Sequence, residues 1–476
     1  MDRFSGKRVR IAPKTAMSIA FKDYLLKNIT CTFEGFIDKV KEDADVVRME
    51  SIDPDTVDAI IILSPNHFHK IYEEYCTRIP PSKLYLVHIK DKTYSLTQSI
   101  EPLRESAIER YSKHYDESGT KRTGTVFISK GFIGGNNKYF YLYCIRNNIT
   151  AVMITDNIEQ LQELRSHGLP CADLTTPAGE RLIAEAKTLI FDQGNYTYFY
   201  ISPNQTTFQL WHGVGLKKMA PHTHITYDYF VSTSTWTNET NFKHIFKAKQ
   251  FLDYGYPRND FLLQKDDDPL ALLFCDRDIY DAVRNQTYTK TILYMPTTRE
   301  YIFTDSAAHC DEPLLPLDFK LLNETLCSLN MLFIVKLHPF VMEQLGNTLQ
   351  QENLSHIVFY PPQSDVYPIL KHSNILISDY SSVIYDFLLL DRPIILFNYD
   401  KKQYEHTMEN FLFDYDRYTP GIEIENGSDL IDLLRHSIEN VSLSRRQCAL
   451  KRLFLSSKRQ SSSELLSQLL ISGDTQ

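Results

Sequence analysis

The chain of 476 residues contains no apolar run approaching the length of a membrane span, so no spanning helix is expected, and any work at a membrane would be done from its surface. It has no C-x-x-C pair. Its eight cysteines stand singly between Cys31 and Cys448, which gives a zinc site or redox dithiol little support and fits a reducing cytoplasm. It has no excess of positive charge either: a net charge of -9 argues against a nucleic-acid binder working through a global basic field. The basic N-terminal stretch MDRFSGKRVRIAPKTAM lacks an apolar core, so a signal peptide is not expected. There is no internal repeat and no long low-complexity tract.

What is present is an ordinary globular composition, 43% hydrophobic and 23% charged, on a chain too long for one core. Three regions are expected. Residues 1–118 carry VDAIIIL, a helical pattern around HKIYEEYC, and KLYLVHI, which reads as a small α/β accessory module. The polar segment His114–Gly124 reads as a linker. Residues 119–255 open on GTVFISKGFIGGNNKYFYLYCIRN: a strand, a turn with Gly131, Gly134 and Gly135, then a helix. Strand candidates AVMIT, TLIFD and TTFQLW follow. Residues 256–476 repeat the alternation with TILYM, MLFIV, HIVFY, NILIS and PIILF, ending in helices. Alternating strands and helices imply parallel sheets covered on both faces. Two such sheets would face a cleft, with ligands at the carboxyl ends of the strands.

Candidate residues cluster just after those strands. In SNILISDYSSVIYDF, Ser381 and Ser382 begin a helical pattern and offer hydroxyl and N–H groups to an anion; plain N-capping is the other reading. Asp379 in that turn would repel phosphate, so it grips a ligand hydroxyl or caps the helix. His338 ends MLFIVKLHPF, a place for a phosphate contact or a hydrogen-bonded structural histidine. Arg258 in GYPRND, and Thr298 and Arg299 in YMPTTRE, stand in turns; arginine forks onto phosphate, or forms a surface salt bridge. In FQLWHGVGLKKM, His212 follows a strand, and Gly213 and Gly215 let the backbone turn. Lys217 and Lys218 read as a solvated helix face. PHTH (221–224) has no partner at ligand spacing, so no metal is expected. The basic stretch Ser444–Arg459 reads as an amphipathic terminal helix packed on the fold, or as one resting on an anionic membrane surface.

The series QLWHG, GYPRND, PTTRE, KLHP, SDYSS with RPIILFNYD, and the PG of RYTPGIEIE resembles the CDP-glycerol glycerophosphotransferase family, the teichoic-acid and capsule polyol-phosphate transferases, over residues 120–435. The resemblance implies a GT-B-like α/β fold: an acceptor-side Rossmann-like domain (119–255) and a CDP-donor-binding one (256–476), plus the N-terminal module. It implies transfer of glycerol phosphate or a related polyol phosphate from a CDP-polyol donor to a hydroxyl of a lipid-linked or oligosaccharide acceptor, releasing CMP, with no cofactor, at or near the inner membrane face. It makes His212 the general base, with His338 and Asp379 beside it in the catalytic set. It gives Gly213, Arg258, Thr298, Arg299, Ser381 and Ser382 to substrate binding, His338 joining the donor-phosphate contacts and Asp379 the polyol hydroxyls. After the WHG, Val214-Gly215 departs from the family's Thr-Pro. Two further readings are a GT-B glycosyltransferase using a nucleotide sugar and a non-catalytic subunit of a surface-polymer assembly.

Overall fold

The structure, a computed structural model, describes residues 4–39, 41, 43–64, 71–72, 74–75, 78–80, 83–90, 93–98, 100–129, 133–174, 176–193, 200–219, 221–297, 315–338, 341–342, 354–402, 404, 411–436, 445–455 and 460–472. The chain divides into two compact units, one of residues 1–120 with 195–202, the other of residues 121–194 with 203–476.

The first unit holds β1 (Arg8–Ala12), α1 (Ala16–Asn28), β2 (Thr32–Ile37), β3 (Val46–Val47), β4 (Ala59–Ile62), β5 (Leu84–Lys90), β6 (Thr93–Gln98) and α2 (Ile100–Ser118). Its sheet runs β3-β2-β1-β4-β5-β6, parallel except for β6. β4 and β5 are the two expected strands. The N-terminal basic stretch supplies β1, whose buried Val9 and Ile11 alternate with Arg8 and Arg10. The segment expected as a linker from His114 is instead, to Ser118, the end of α2, since its charged residues continue a solvated helix face. Of the helical pattern at HKIYEEYC, residues 71, 72, 74 and 75 are helical; residues 69, 70, 73 and 76 lie outside the described residues.

The second unit holds two parallel sheets. One is built from β7 (Thr125–Ile128), β8 (Ala151–Thr155), β9 (Cys171–Asp173), β10 (Thr188–Phe191), β11 (Thr206–Gln209), β12 (His222–Val231) and β13 (Phe246–Leu252), with α3 (Asn136–Arg146) following β7. Its order is β13-β12-β11-β10-β7-β8-β9. Gly135 caps α3; Gly131 lies outside the described residues. The other sheet follows α4 (Pro257–Leu263) and contains β14 (Lys290–Met295), β15 (Met331–Val335), β16 (Ile357–Phe359), β17 (Ile375–Ser378), β18 (Ile394–Phe397) and β19 (Ile422–Ile424), with α5 (Val383–Phe387) after β17. Its order is β16-β15-β14-β17-β18-β19. β7, β10, β15, β17 and β18 are buried at every position, as strands covered on both faces must be, and this is why they read as unbroken apolar runs.

Both orders reverse direction once, between β7 and β10 and between β14 and β17. These reversals are where open sheets leave a crevice for ligands. Near the chain's end, α6 (Arg445–Phe454) buries Leu450 and Phe454 in the core of the β14–β19 sheet; Phe454 packs on Trp236 and Tyr385. The apolar face of the basic helix is thus occupied by protein. The last helix, α7 (Ser462–Ser472), packs with the other sheet instead, where Leu466 and Leu470 join the core around Phe127 and Phe208. Among the described residues no helix is long and apolar enough to cross a membrane.

Candidate active site

A cleft of about 480 Å³ opens at the carboxyl ends of both sheets of the second unit. Residues 211–217 and 219 line one side; Met295–Thr297, Lys336–His338, Pro362 and Tyr380–Ser382 line the other.

His212 follows β11, beside the central strand β10. Its Nδ1 lies 3.2 Å from the backbone carbonyl of Asp192, the residue after β10. Donation there places the proton on Nδ1 and leaves Nε2 as an acceptor. Trp211 stacks against the imidazole with centroids 4.0 Å apart. The ring is open to the cleft but has protein around it. That enclosure, more than the positive charge of Arg258, pushes its pKa down to about 4. Water in the cleft offsets part of the enclosure, but direction alone makes the imidazole neutral at pH 7. The Asp192 carboxyl is 1% exposed and accepts one bond, from Ser129 Oγ at 3.1 Å. Burial raises its pKa to about 7.

The serine turn stands at the β14/β17 reversal. Met295 and Ser378 end those strands in register, and Ser378 Oγ donates to the Met295 carbonyl at 2.7 Å. The two chains therefore leave side by side. Asp379 stitches them: its carboxylate accepts the N–H of Thr297 at 2.9 Å and of Tyr380 at 2.6 Å. Asp379 is 1% exposed and does not line the cleft, so the structure does not offer it to polyol hydroxyls as the family resemblance implies. A carboxylate that must satisfy one backbone donor of its own turn and one from the neighbouring chain is drawn inward. Ser381 and Ser382 remain half-exposed on the cleft wall. His338 is exposed there too, beyond β15.

Arg258 takes a different place from the one expected. It lies in α4 with Pro257 as the first helical residue, buried, its guanidinium 2.7 Å from Asp386, which also accepts from Tyr367 Oη at 2.7 Å. A buried guanidinium needs a counter-charge, and α5 supplies it from the other sheet's side of the unit. Arg258 therefore backs the cleft instead of lining it. Its terminal nitrogen lies 3.5 Å from where a Cβ on Gly213 would stand. Thr298 and Arg299 lie outside the described residues.

Three cleft residues escaped the sequence reading. Lys217 is not on a helix face: its backbone pairs antiparallel with Phe411, its ammonium lies over the Tyr404 ring at 5.3 Å, and the residue lines the cleft. Lys336 donates to the carbonyls of Pro361, Pro362 and Ser364 at 2.7, 2.7 and 3.1 Å, fixing the loop that brings Pro362 to the cleft; burial lowers its pKa to about 8. Thr297 arrives through its bond to Asp379. Each is placed by contacts with residues distant in the chain, Lys217 with Phe411, Lys336 with Pro361 and Pro362, and Thr297 with Asp379, which no local motif signals.

A family model described as CDP-glycerol:poly(glycerophosphate) glycerophosphotransferase matches residues 111–471. The chain belongs to this family. Its relatives include the teichoic acid poly(glycerol phosphate) polymerase of Bacillus spizizenii, 29% identical over 260 residues, covering 50% of this chain and 63% of that protein. The teichoic acid glycerol-phosphate transferase of Staphylococcus aureus is 27% identical over 279 residues, 54% of this chain and 68% of that one. The polymerase of Bacillus subtilis is matched over only 33% of its length, at 27% identity. The alignments thus span from a third to about two-thirds of these relatives. Among solved structures, the wall teichoic acid polymerase TagF superposes with a TM-score of 0.62 at 21% identity, over 79% of this chain and 94% of that one. A TagF variant soaked with CDPG gives 0.61 at 20%, over 78% and 93%. This likeness carries the fold, a GT-B-like pair of Rossmann-type sheets. In the glycerophosphotransferase-family chain the elements that carry WHG, KLHP and SDYSS converge on one cleft.

Proposed function

We propose that the protein transfers a polyol phosphate, glycerol phosphate or a relative of it, from a CDP-activated donor to a hydroxyl of a teichoic-acid-like acceptor, releasing CMP. The observation that carries the reading is His212: an imidazole at a strand's carboxyl end that lines the cleft, its Nδ1 3.2 Å from a carbonyl, its neighbour Gly213 against the serine turn of the other sheet. A base for an alcohol needs a free ring nitrogen, the neutral form and a position beside the phosphate.

In this mechanism the acceptor oxygen attacks the distal phosphorus, the bond from that phosphorus to the bridging oxygen breaks, and CMP leaves with the bond's electrons. The acceptor proton passes to His212 Nε2. Charge on the phosphoryl oxygens is met by Lys217, His338 and the hydroxyls of Ser381 and Ser382, which line the same cleft. Arg258 acts from behind, holding α5 and its serine turn against the WHG segment. Turnover with CDP-glycerol and CDP-ribitol, with His212→Ala as control, tests the reading. Unchanged turnover in the variant removes the base; use of a nucleotide sugar with loss of UDP or GDP replaces the reaction.

A further inference from the structure

The backbone that delivers His212 is bent in a way its sequence does not favour. Trp211 has φ +51°, the left-handed region, where a bulky side chain is an outlier. Two buried amides hold it there. Gln209 Oε1 accepts the Trp211 N–H at 2.9 Å. Asn136 Nδ2 donates to the Trp211 carbonyl at 2.8 Å and to the Leu210 carbonyl at 3.1 Å. Both side chains are fully buried, and both are held at their other ends. Asn136 Oδ1 accepts the Arg258 N–H at 3.4 Å, while Gln209 Nε2 donates to the Gln193 carbonyl at 3.0 Å and to Tyr227 Oη at 3.1 Å. The N–H and C=O of the strained residue are thus each satisfied by a side chain from a rigid element, the end of β11 and the first turn of α3.

We propose that Asn136 and Gln209 are positioning residues that lock Trp211 in its left-handed bend and so present His212 Nε2 to the acceptor hydroxyl. This inference rests on the reading of His212 as the base. If either amide is lost, Trp211 relaxes toward extended backbone and the imidazole swings with it. Neither residue lines the cleft. A local WHG motif carries no sign of the device, because its halves lie 73 residues apart, at 136 and 209.

The test compares Gln209→Met and Asn136→Leu, close in volume and without the hydrogen bonds, with Gln209→Glu, which keeps an acceptor for the Trp211 N–H. Turnover, donor KM, donor binding by calorimetry, the pH profile of kcat and thermal melting are measured on the full chain. A base misplaced by about 1 Å costs about 100-fold. The expected result for Gln209→Met and Asn136→Leu is therefore a kcat lower by about that factor, donor binding within twofold of wild type, and a displaced acid limb. Gln209→Glu should recover most of kcat. The proposal is overturned if Gln209→Met keeps kcat within twofold, if Glu and Met lose equally, or if kcat and donor affinity fall in step with melting temperature. His212→Ala is measured alongside. Full turnover there fails the base reading itself, whereas loss in His212→Ala with active amide variants fails only this inference.

Discussion

A Cβ atom on Gly213 would stand 2.4 Å from the Ser382 hydroxyl oxygen and 3.0 Å from its Cβ. The residue after the candidate base therefore touches the turn that follows β17, and only glycine leaves room for both. Gly213→Ala is expected to force the serine turn away and cut turnover, with a stability cost of about 1–3 kcal/mol from overpacking. Ser382→Gly in the same chain should restore stability but not activity. Wild-type turnover in Gly213→Ala would show that the contact is slack.

The Arg258–Asp386 pair is buried on both sides, at 6% and 1% side-chain exposure. Removing one partner leaves an uncompensated charge, so Asp386→Ala should destabilise by about 3–5 kcal/mol. Arg258→Met with Asp386→Leu should lose much less. Denaturant titration of the single and double variants checks this, and equal losses would contradict it.

Lys217 is expected to meet substrate phosphate. A charge-assisted bond is worth about 1.5–3 kcal/mol, so Lys217→Met should lower kcat/KM by about 10- to 100-fold, with little change in melting temperature. Raising the salt concentration should narrow the gap between wild type and variant. A variant with wild-type kcat/KM would return Lys217 to the solvated surface role its sequence context implies.

Two pH dependences follow from the surroundings of His212 and Asp192. With its pKa pushed below the ordinary 6.5, toward about 4, His212 stays deprotonated in mild acid. The acid limb of kcat/KM should accordingly fall below pH 6.5, and a limb at or above 6.5 assigned to this residue would contradict the geometry. Asp192 behaves oppositely in stability. Its folded pKa of about 7 stands above the ordinary 3.8. The folded chain keeps a proton that the unfolded chain has released, so this residue's contribution is complete below pH 4 and is lost as pH rises toward 7. Asp192→Asn should lack that decline, which unfolding titrations at pH 5 and pH 8 would register as a gap growing in the variant's favour.

Much of the second unit was legible because its strands are buried on both faces: ILIS, MLFIV and IILF stand out as short unbroken apolar runs. The place of His338 and Ser381–Ser382 on the cleft wall was legible for the same reason, since each follows such a run, and His212 follows β11, buried at its last three positions. What stayed hidden depends on distant partners. GYPRND reads as an exposed turn until Asp386, 128 residues on, takes the guanidinium. Asp379 reads as a ligand until Thr297 brings its N–H. Lys217 reads as solvated until Phe411 pairs with its backbone. In the first unit, RVRIA and TFEGFI are short, charged and only partly buried, so β1 and β2 carried too little apolar signal to be seen.

The measurement that bears most directly on the account is the nucleotide released in a single turnover. Purified protein is incubated with CDP-glycerol or CDP-ribitol and a teichoic-acid-like acceptor, and nucleotides and acceptor mass are followed together. One CMP is expected per polyol phosphate gained by the acceptor, with loss of both in His212→Ala. CMP release without acceptor gain, no release from either donor, or equal rates in His212→Ala would contradict it.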